Sequence, residues 1–218
     1  MLNARDTVFL LDVDNTLLDN DRFSADLGNR LELWFGKSER VRYWKIFNDL
    51  RAELGRADYL ASLQAFRAGL DGRAELLGMS EFLLEYPFAD RLYPSALQVV
   101  AHLRTVGLPV VLSDGDIVFQ PRKIQRSGIW DATLGRVLIY LHKERMLDQV
   151  QLKYPADRYV MVDDKPNLLA AMKRIMGTKL TTVFVRQGHY ALAPGPAPDP
   201  APDRVIEHIE DLLKDGAV

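Results

Sequence analysis

The stretch FLLDVDNTLLDN, residues 9–20, decides the fold of this chain, because its apolar run ends abruptly at two aspartates. Residues 7–14, TVFLLDVD, are mostly β-branched, aromatic and aliphatic, which predicts a buried strand. Asp12 and Asp14 then stand at the end of that strand with one residue between them. Carboxylates beside apolar surface and beside each other are driven toward their neutral forms. The pair therefore needs a compensating partner from elsewhere in the chain.

Three later apolar runs have the same strand-like composition, and helical patterns separate them. They are LPVVLSDG at 108–115, RYVMVDD at 158–164 and TTVFVRQG at 181–188. The segment 94–107, which directly precedes the run at 108–115, begins with proline and ends with glycine, as helices commonly do. Strands that alternate with helices form right-handed crossovers and a sheet covered on both faces. We therefore predict an α/β fold with a doubly wound parallel sheet.

Residues 21–88 interrupt this alternation with helical patterns and no convincing strand. ELWFGKSERVRYWKIFNDLRAELG at 32–55 and ADYLASLQAFRAGL at 57–70 are the clearest of these patterns. We predict a core of residues 1–20 and 89–218 that carries a helical insertion at 21–88, with hinges near 18–21 and 88–92. The proline-rich stretch at 191–203 predicts a stiff, extended connector, since proline lacks the backbone N–H that regular structure requires.

The composition is that of a globular protein and excludes several chemistries. The 218 residues are 48% hydrophobic and 27% charged, with a net charge of -2 and no cysteine. Disulfides, thiolate metal sites and cysteine nucleophiles are excluded, and the charge gives no support to a nucleic-acid partner. We find neither a signal-peptide pattern nor a run of about 20 apolar residues. A cytoplasmic protein with no membrane partner is expected, and its oligomeric state is left open.

The polar residues that follow the predicted strands suggest a single metal site. They are Asp12, Asp14, Ser113, Asp114, Asp163 and Asp164. Each alone is typical of a turn or a helix cap, but the carboxyl ends of parallel strands share one edge, where ligands bind. Several acids gathered there repel each other unless a cation lies among them. Oxygen ligands without a histidine or cysteine cluster favour a hard ion, and Mg²⁺ fits best.

These residues resemble the sequence motifs of the haloacid dehalogenase superfamily. Residues 12–17, DVDNTL, resemble the family's first motif, an Asp-x-Asp-x-Thr at the end of the first strand. Ser113 resembles the second motif, Lys143 the third, and the Asp163–Asp164 pair the fourth. The motifs occur in the family's order and span nearly the whole chain. The insertion after the first motif matches the position of the family's helical cap.

The resemblance implies catalytic roles for three side chains. Asp12 would be the nucleophile that forms an aspartyl-phosphate, and Asp14 would be the general acid and base. An extended strand would turn both carboxylates to the same face. Lys143 would be a point charge between Asp12 and the phosphate. Lys123 and Lys153 are also candidates for this role, but only Lys143 follows an apolar run and stands at the predicted start of a helix.

The resemblance also implies the substrate and metal ligands. Ser113 and the amides after it would donate hydrogen bonds to the phosphoryl oxygens, with Lys143 nearby. Asp114 is counted with these substrate-binding residues, and whether Asp114 and Asp116 contact the insertion or only close a turn stays open. Asp163 would ligate Mg²⁺ with Asp12, Asp164 and Asp14, the last through its backbone carbonyl or a nearby side chain. Asn167 stands where many members carry a further acid, which leaves the roles of Asn167 and Asp164 open.

Asp14 favours one activity within the family. Its dehalogenases and phosphonate-cleaving members lack an acid at this position, since a halide needs no proton to leave. The resemblance therefore implies a Mg²⁺-dependent phosphatase that acts on a small phosphorylated metabolite. Two alternatives stay open: a phosphoglucomutase-like phosphoryl transfer on the same residues, and a non-catalytic binding protein that retains the fold.

The insertion carries two sets of side chains that permit either a packing or a binding role. We predict that the aromatic side chains form the internal core of the insertion rather than line a substrate pocket. They are Trp34, Phe35, Tyr43, Trp44, Phe47 and Tyr59. We predict that the basic side chains form a solvated face rather than a binding site for a second anionic group. They are Arg40, Arg42, Lys45, Arg51 and Arg56.

Overall fold

The computed structural model describes residues 7–214, which form a six-stranded parallel sheet with helices on both faces. The strands are β1 (Thr7–Leu11), β2 (Leu108–Asp114), β3 (Val137–Tyr140), β4 (Arg158–Asp163), β5 (Leu180–Val185) and β6 (Arg204–Ile206). Their order in the sheet is β3-β2-β1-β4-β5-β6, so β1 lies between β2 and β4. The predicted doubly wound α/β fold is confirmed.

Ten α-helices lie within the same described residues, together with four short 3₁₀ turns. The helices are α1 (Asn20–Phe35), α2 (Lys37–Leu54), α3 (Tyr59–Phe66), α4 (Ala74–Glu85), α5 (Ala96–Val106), α6 (Phe119–Arg126), α7 (Ile129–Ala132), α8 (Leu147–Lys153), α9 (Pro166–Met176) and α10 (Gly188–Leu192). The 3₁₀ turns are Phe88–Arg91, Lys143–Arg145, Gly177–Lys179 and Ile209–Leu213. None of the helices in residues 7–214 combines the length and the apolar character that a membrane crossing requires.

The alternation of β1 divides the hydrophobic core into two layers. Val8 and Leu10 pack on one face of the sheet, in a cluster that includes side chains of α8 and α9. Phe9 and Leu11 pack on the other face, in a cluster that includes α5 and the last 3₁₀ turn. Successive side chains of a strand point to opposite faces, so an apolar run of this kind is buried only where helices cover both.

The first strand is shorter than its sequence predicts. The sequence indicated a strand through Asp14, but β1 ends at Leu11. Val13 accepts hydrogen bonds from three backbone amides in the following turn, and Asn15 there has a φ of 60°. Asparagine tolerates this left-handed conformation better than most residues. Asp14 is therefore held by a turn rather than by an extended strand, while the amide of Asp12 still bonds to β4.

The helices α1–α4 lie between β1 and the 3₁₀ turn at Phe88–Arg91. Their aromatic side chains mainly pack together: Tyr43, Phe47 and Tyr59 are buried, while Trp34, Phe35 and Trp44 are partly buried against the same cluster. The ring centroid of Phe23 in α1 lies 5.2 Å from that of Phe88 and 5.7 Å from that of Phe119 in α6. The insertion and one face of the sheet therefore share a continuous apolar core.

The two linkers that join the insertion to the core run side by side. Leu18 and Leu92 form an antiparallel bridge. The amide of Asp19 donates to the carbonyl of Arg91 at 2.7 Å, and the amide of Tyr93 donates to the carbonyl of Leu17 at 3.0 Å. These are the segments predicted as hinges, and backbone hydrogen bonds fasten them to each other.

Candidate active site

The sheet order brings the polar strand ends to one edge. Asp12 follows β1, and its amide donates to the carbonyl of Val162 in β4 at 3.1 Å. Ser113 lies near the end of β2, one place away in the sheet, and Asp163 closes β4 on the other side. All three side chains are buried. Residues that are far apart in sequence therefore meet at the carboxyl edge, where ligands bind in open α/β sheets.

Lys143 joins the first and fourth motifs through its ammonium group. Its Nζ lies 2.5 Å from Asp12 Oδ1 and 2.7 Å from Asp163 Oδ2, and none of the three residues is more than 3% exposed. Burial alone would lower the pKa of Lys143, but Asp12, Asp163 and Asp114 outweigh it and raise the pKa well above its ordinary value. Lys143 is therefore a fixed positive charge at this edge.

Three carboxylates at this edge form a group that can hold a cation. Ligand atoms of Asp12, Asp163 and Asp164 all lie within 4.8 Å of one another. Asp12 Oδ2 and both oxygens of Asp164 are buried without a hydrogen-bond partner among the described residues. Burial, with Asp163 and Asp12 nearby, raises the pKa of Asp164 to about 9. A hard divalent ion would satisfy these oxygens and reverse that shift, so the donor set fits the predicted metal.

Asp14 makes a separate set of contacts. Its carboxylate accepts from Lys123 Nζ at 2.6 Å and from Gln120 Nε2 at 3.3 Å, and its side chain is 29% exposed. The carboxylate of Asp14 is not part of the three-acid group found within residues 7–214. The two aspartates of the first motif thus face different cations: Asp12 faces Lys143, and Asp14 faces Lys123.

Lys123 is buried among aromatic rings. It also donates to Asn20 Oδ1 at 3.0 Å. Its Nζ lies between 5.2 and 5.8 Å from the ring centroids of Phe23, Tyr59, Phe88 and Phe119. Aromatic faces stabilise a cation electrostatically, which offsets part of the cost of removing the ammonium from water.

The residues of the second motif are held by contacts of their own. Ser113 Oγ accepts from Gln120 Nε2 at 2.9 Å. Asp114 Oδ1 accepts the backbone amide of Lys143 at 2.7 Å, and burial raises the pKa of Asp114. Asp116 Oδ1 accepts the amides of residues 118 and 119, so it closes the turn before α6. Asn167 is exposed in the first turn of α9.

A cavity of about 410 Å³ opens over this edge, between the core and the insertion. The core contributes Asp14, Asp114, Lys165 and Tyr190 to its wall, among others. The insertion contributes Trp44, Phe47, Arg51 and Tyr59. Phe47 and Tyr59 therefore belong to the apolar core and to the cavity wall at once. The volume suits a small-molecule ligand.

Sequence reasoning did not assign Lys123, Gln120 or Lys165 to the site. Lys123 falls four residues after Phe119 on α6, a spacing that puts both side chains on one helical face, which is buried in the structure. Lys165 directly follows the acidic pair of the fourth motif. Burial lowers the pKa of Lys165, but the nearby Asp12 and Asp163 outweigh that effect and raise it. Nothing in the sequence indicated that Gln120 would reach both Ser113 and Asp14.

Comparisons with known proteins identify the family of this chain. Residues 7–175 match the family of haloacid dehalogenase-like hydrolases. A haloacid dehalogenase-like hydrolase from Burkholderia xenovorans is 56% identical over 96% of this chain and 98% of that chain, with a TM-score of 0.88. The chain therefore belongs to the haloacid dehalogenase-like hydrolases, as its motifs indicated.

More distant structures share the fold. The HAD-hydrolase YfnB from Bacillus subtilis, bound to magnesium, is 15% identical over 96% of this chain and 97% of that chain, with a TM-score of 0.64. The 2-haloacid dehalogenase from Pseudomonas syringae has the same identity and TM-score, over 95% of this chain and 96% of that chain. No curated protein gives a significant match.

Proposed function

We propose that this hydrolase is a magnesium-dependent phosphatase that cleaves a small phosphate monoester through an aspartyl-phosphate on Asp12. The proposal rests on the surroundings of the Asp12 carboxylate. It is buried, one oxygen contacts the Lys143 ammonium, and the other has no hydrogen-bond partner within residues 7–214. A carboxylate fixed in this way keeps a lone pair available for attack on phosphorus.

The first half-reaction uses both aspartates of the first motif. Asp12 attacks phosphorus, the ester P–O bond breaks, and the leaving alkoxide takes a proton from Asp14. In the second half-reaction Asp14 removes a proton from the water that attacks the aspartyl-phosphate, which releases phosphate and restores both groups. Lys123 and Gln120 hold the Asp14 carboxylate in place through the contacts described above.

The remaining groups stabilise charge. Lys143 lies beside Asp12 and would reduce the repulsion between this carboxylate and the phosphate. Ser113 and the following amides would donate to the phosphoryl oxygens. Mg²⁺ held by Asp12, Asp163 and Asp164 would neutralise further negative charge in the transition state.

The direct test is release of phosphate from p-nitrophenyl phosphate by the purified protein. We expect activity with Mg²⁺, loss of activity with excess EDTA, and recovery when Mg²⁺ is restored. Phosphate is measured together with nitrophenolate, so that transfer to an alcohol acceptor appears as an excess of nitrophenolate over phosphate. Inactivity across a panel of small phosphate esters, or chloride release from a 2-haloacid, would overturn the proposal.

The Asp14→Asn variant tests whether Asp14 protonates the leaving group. We expect kcat/KM to fall about 100- to 10,000-fold for an alkyl phosphate, because an alkoxide leaves poorly without a proton. The decrease should be much smaller for p-nitrophenyl phosphate, since nitrophenolate leaves readily without one. The matched control is Asp116→Asn, which changes a carboxylate that closes a turn and should affect both esters alike. Equal losses on both esters in Asp14→Asn would argue against a proton-donor role.

A further inference from the structure

Of the five basic side chains named above for the insertion, four are paired with carboxylates, and the fifth lines the cavity. Four of the five cations considered above form ion pairs of 2.6 to 2.7 Å: Arg40 with Glu32, Arg42 with Glu39, Lys45 with Asp49, and Arg56 with Asp58. Arg51 has no carboxylate partner among the described residues, although it is half-buried and lines the cavity. The expectation of a solvated basic face therefore does not hold for Arg51.

An aromatic ring from the core positions the Arg51 guanidinium. Arg51 Cζ lies 5.0 Å from the ring centroid of Tyr190, and Lys165 Nζ lies 5.1 Å from the same centroid. The ring thus lies between a cation of the insertion and Lys165, which directly follows the acidic pair of the fourth motif. Contact with a ring face orients a guanidinium but uses none of its five N–H donors, which stay available to a planar anion.

The acids that line the cavity already have other partners. Asp14 binds Lys123, Asp21 binds the ring and amide nitrogens of His189, Asp114 binds the amide of Lys143, and Asp116 binds two turn amides. None of them is paired with Arg51. The guanidinium therefore faces the ligand space with its charge uncompensated by any described carboxylate, while Trp44 and Phe47 supply apolar wall beside it.

Taken with the proposed phosphatase function, on which this inference rests, we propose that Arg51 binds a second anionic group of the substrate. The substrate class is then a small phosphate monoester that carries a carboxylate or a second phosphate. A neutral ester would remove water from the guanidinium without offering a hydrogen-bond acceptor in return, so the binding of neutral esters is disfavoured. The cavity of about 410 Å³, whose wall includes both Asp14 and Arg51, has room for a metabolite of a few carbon atoms.

The test compares esters that differ only in the remote group. One pair is 2-phosphoglycolate and ethyl phosphate, and the other is propane-1,3-diol bisphosphate and propyl phosphate. The readout is the ratio of kcat/KM for the charged member to that for the neutral member, measured by phosphate release with Mg²⁺. We expect the native protein to prefer the charged member of one pair by about tenfold or more. The pair that shows the preference identifies the anion as carboxylate or phosphate.

Substitutions in helix α2 then test whether Arg51 causes this preference. In Arg51→Met the ratio should fall about 10- to 100-fold, as expected for losing hydrogen bonds to a charged group. Arg51→Lys keeps the charge and should retain part of the preference, which also covers the case that Arg51→Met folds poorly. Lys45→Met removes an exposed cation of the same helix and should leave the ratio unchanged.

The outcomes separate this inference from the proposed function. Hydrolysis of p-nitrophenyl phosphate without a charge preference in either pair would overturn the role of Arg51 and leave the phosphatase standing. A preference that survives in Arg51→Met would also overturn it. No phosphate release from any ester would remove both proposals.

Discussion

Replacing Asp12 by asparagine is expected to lower kcat/KM for p-nitrophenyl phosphate by at least about 1000-fold. Asparagine keeps the shape of the side chain but has no anionic oxygen to attack phosphorus. The substitution also removes one of the three acids in the candidate metal group. The measurement is steady-state phosphate release with Mg²⁺, combined with mass spectrometry of acid-quenched protein to detect a phosphoryl group on residue 12.

The matched control for this variant is Asp157→Asn, which changes an exposed aspartate in the loop before β4. It should keep full activity. The native protein should show the phosphoryl adduct, and Asp12→Asn should not. Turnover of Asp12→Asn within tenfold of the native rate would mean that another group attacks phosphorus.

The largest effect on stability is expected from Lys143→Met. Methionine has a similar length, but it leaves Asp12 and Asp163 buried and facing each other without the cation between them. Removing one partner of a buried ion pair typically costs about 3–5 kcal/mol in the free energy of unfolding. Two unpaired carboxylates favour their neutral forms, so the variant's deficit should shrink as the pH is lowered. Urea unfolding at neutral and mildly acidic pH measures both effects.

Mg²⁺ and a second lysine provide the controls. A bound cation stabilises the folded state by mass action, so Mg²⁺ should raise the melting temperature of Lys143→Met. Lys153→Met changes an exposed lysine late in α8, and its stability should stay close to that of the native protein. If both variants lost the same amount of stability, Lys143 would not hold the acids together as its distances indicate.

Much of the fold and part of the site follow from local sequence signals. Lys143 was singled out because it follows the apolar residues of β3, and a strand end in a parallel sheet must lie at the ligand edge. The same argument located Asp12, Ser113 and Asp163. In each case one short segment carries both the strand and the polar residue, so no knowledge of distant packing is needed.

The contacts of Asp14 did not follow from sequence, because they depend on distant segments. Lys123 is buried only where Phe23 of α1, Tyr59 of α3 and Phe88 of the second linker converge on α6. No single segment contains that information. The end of β1 was misplaced for a related reason: residues 12–14 have a strand-like pattern, but the chain turns after Asp12, which keeps only its amide hydrogen bond to β4.

The pairing of Leu18 with Leu92 has a consequence for how this fold can vary. The chain leaves the core and returns to it at neighbouring points, so the whole insertion is topologically an enlarged turn. A turn can be lengthened, shortened or exchanged without changing the register of the strands that flank it. The insertion can therefore change in length without moving β1, β2 and β4, as long as side chains such as Phe23 that pack on α6 are kept.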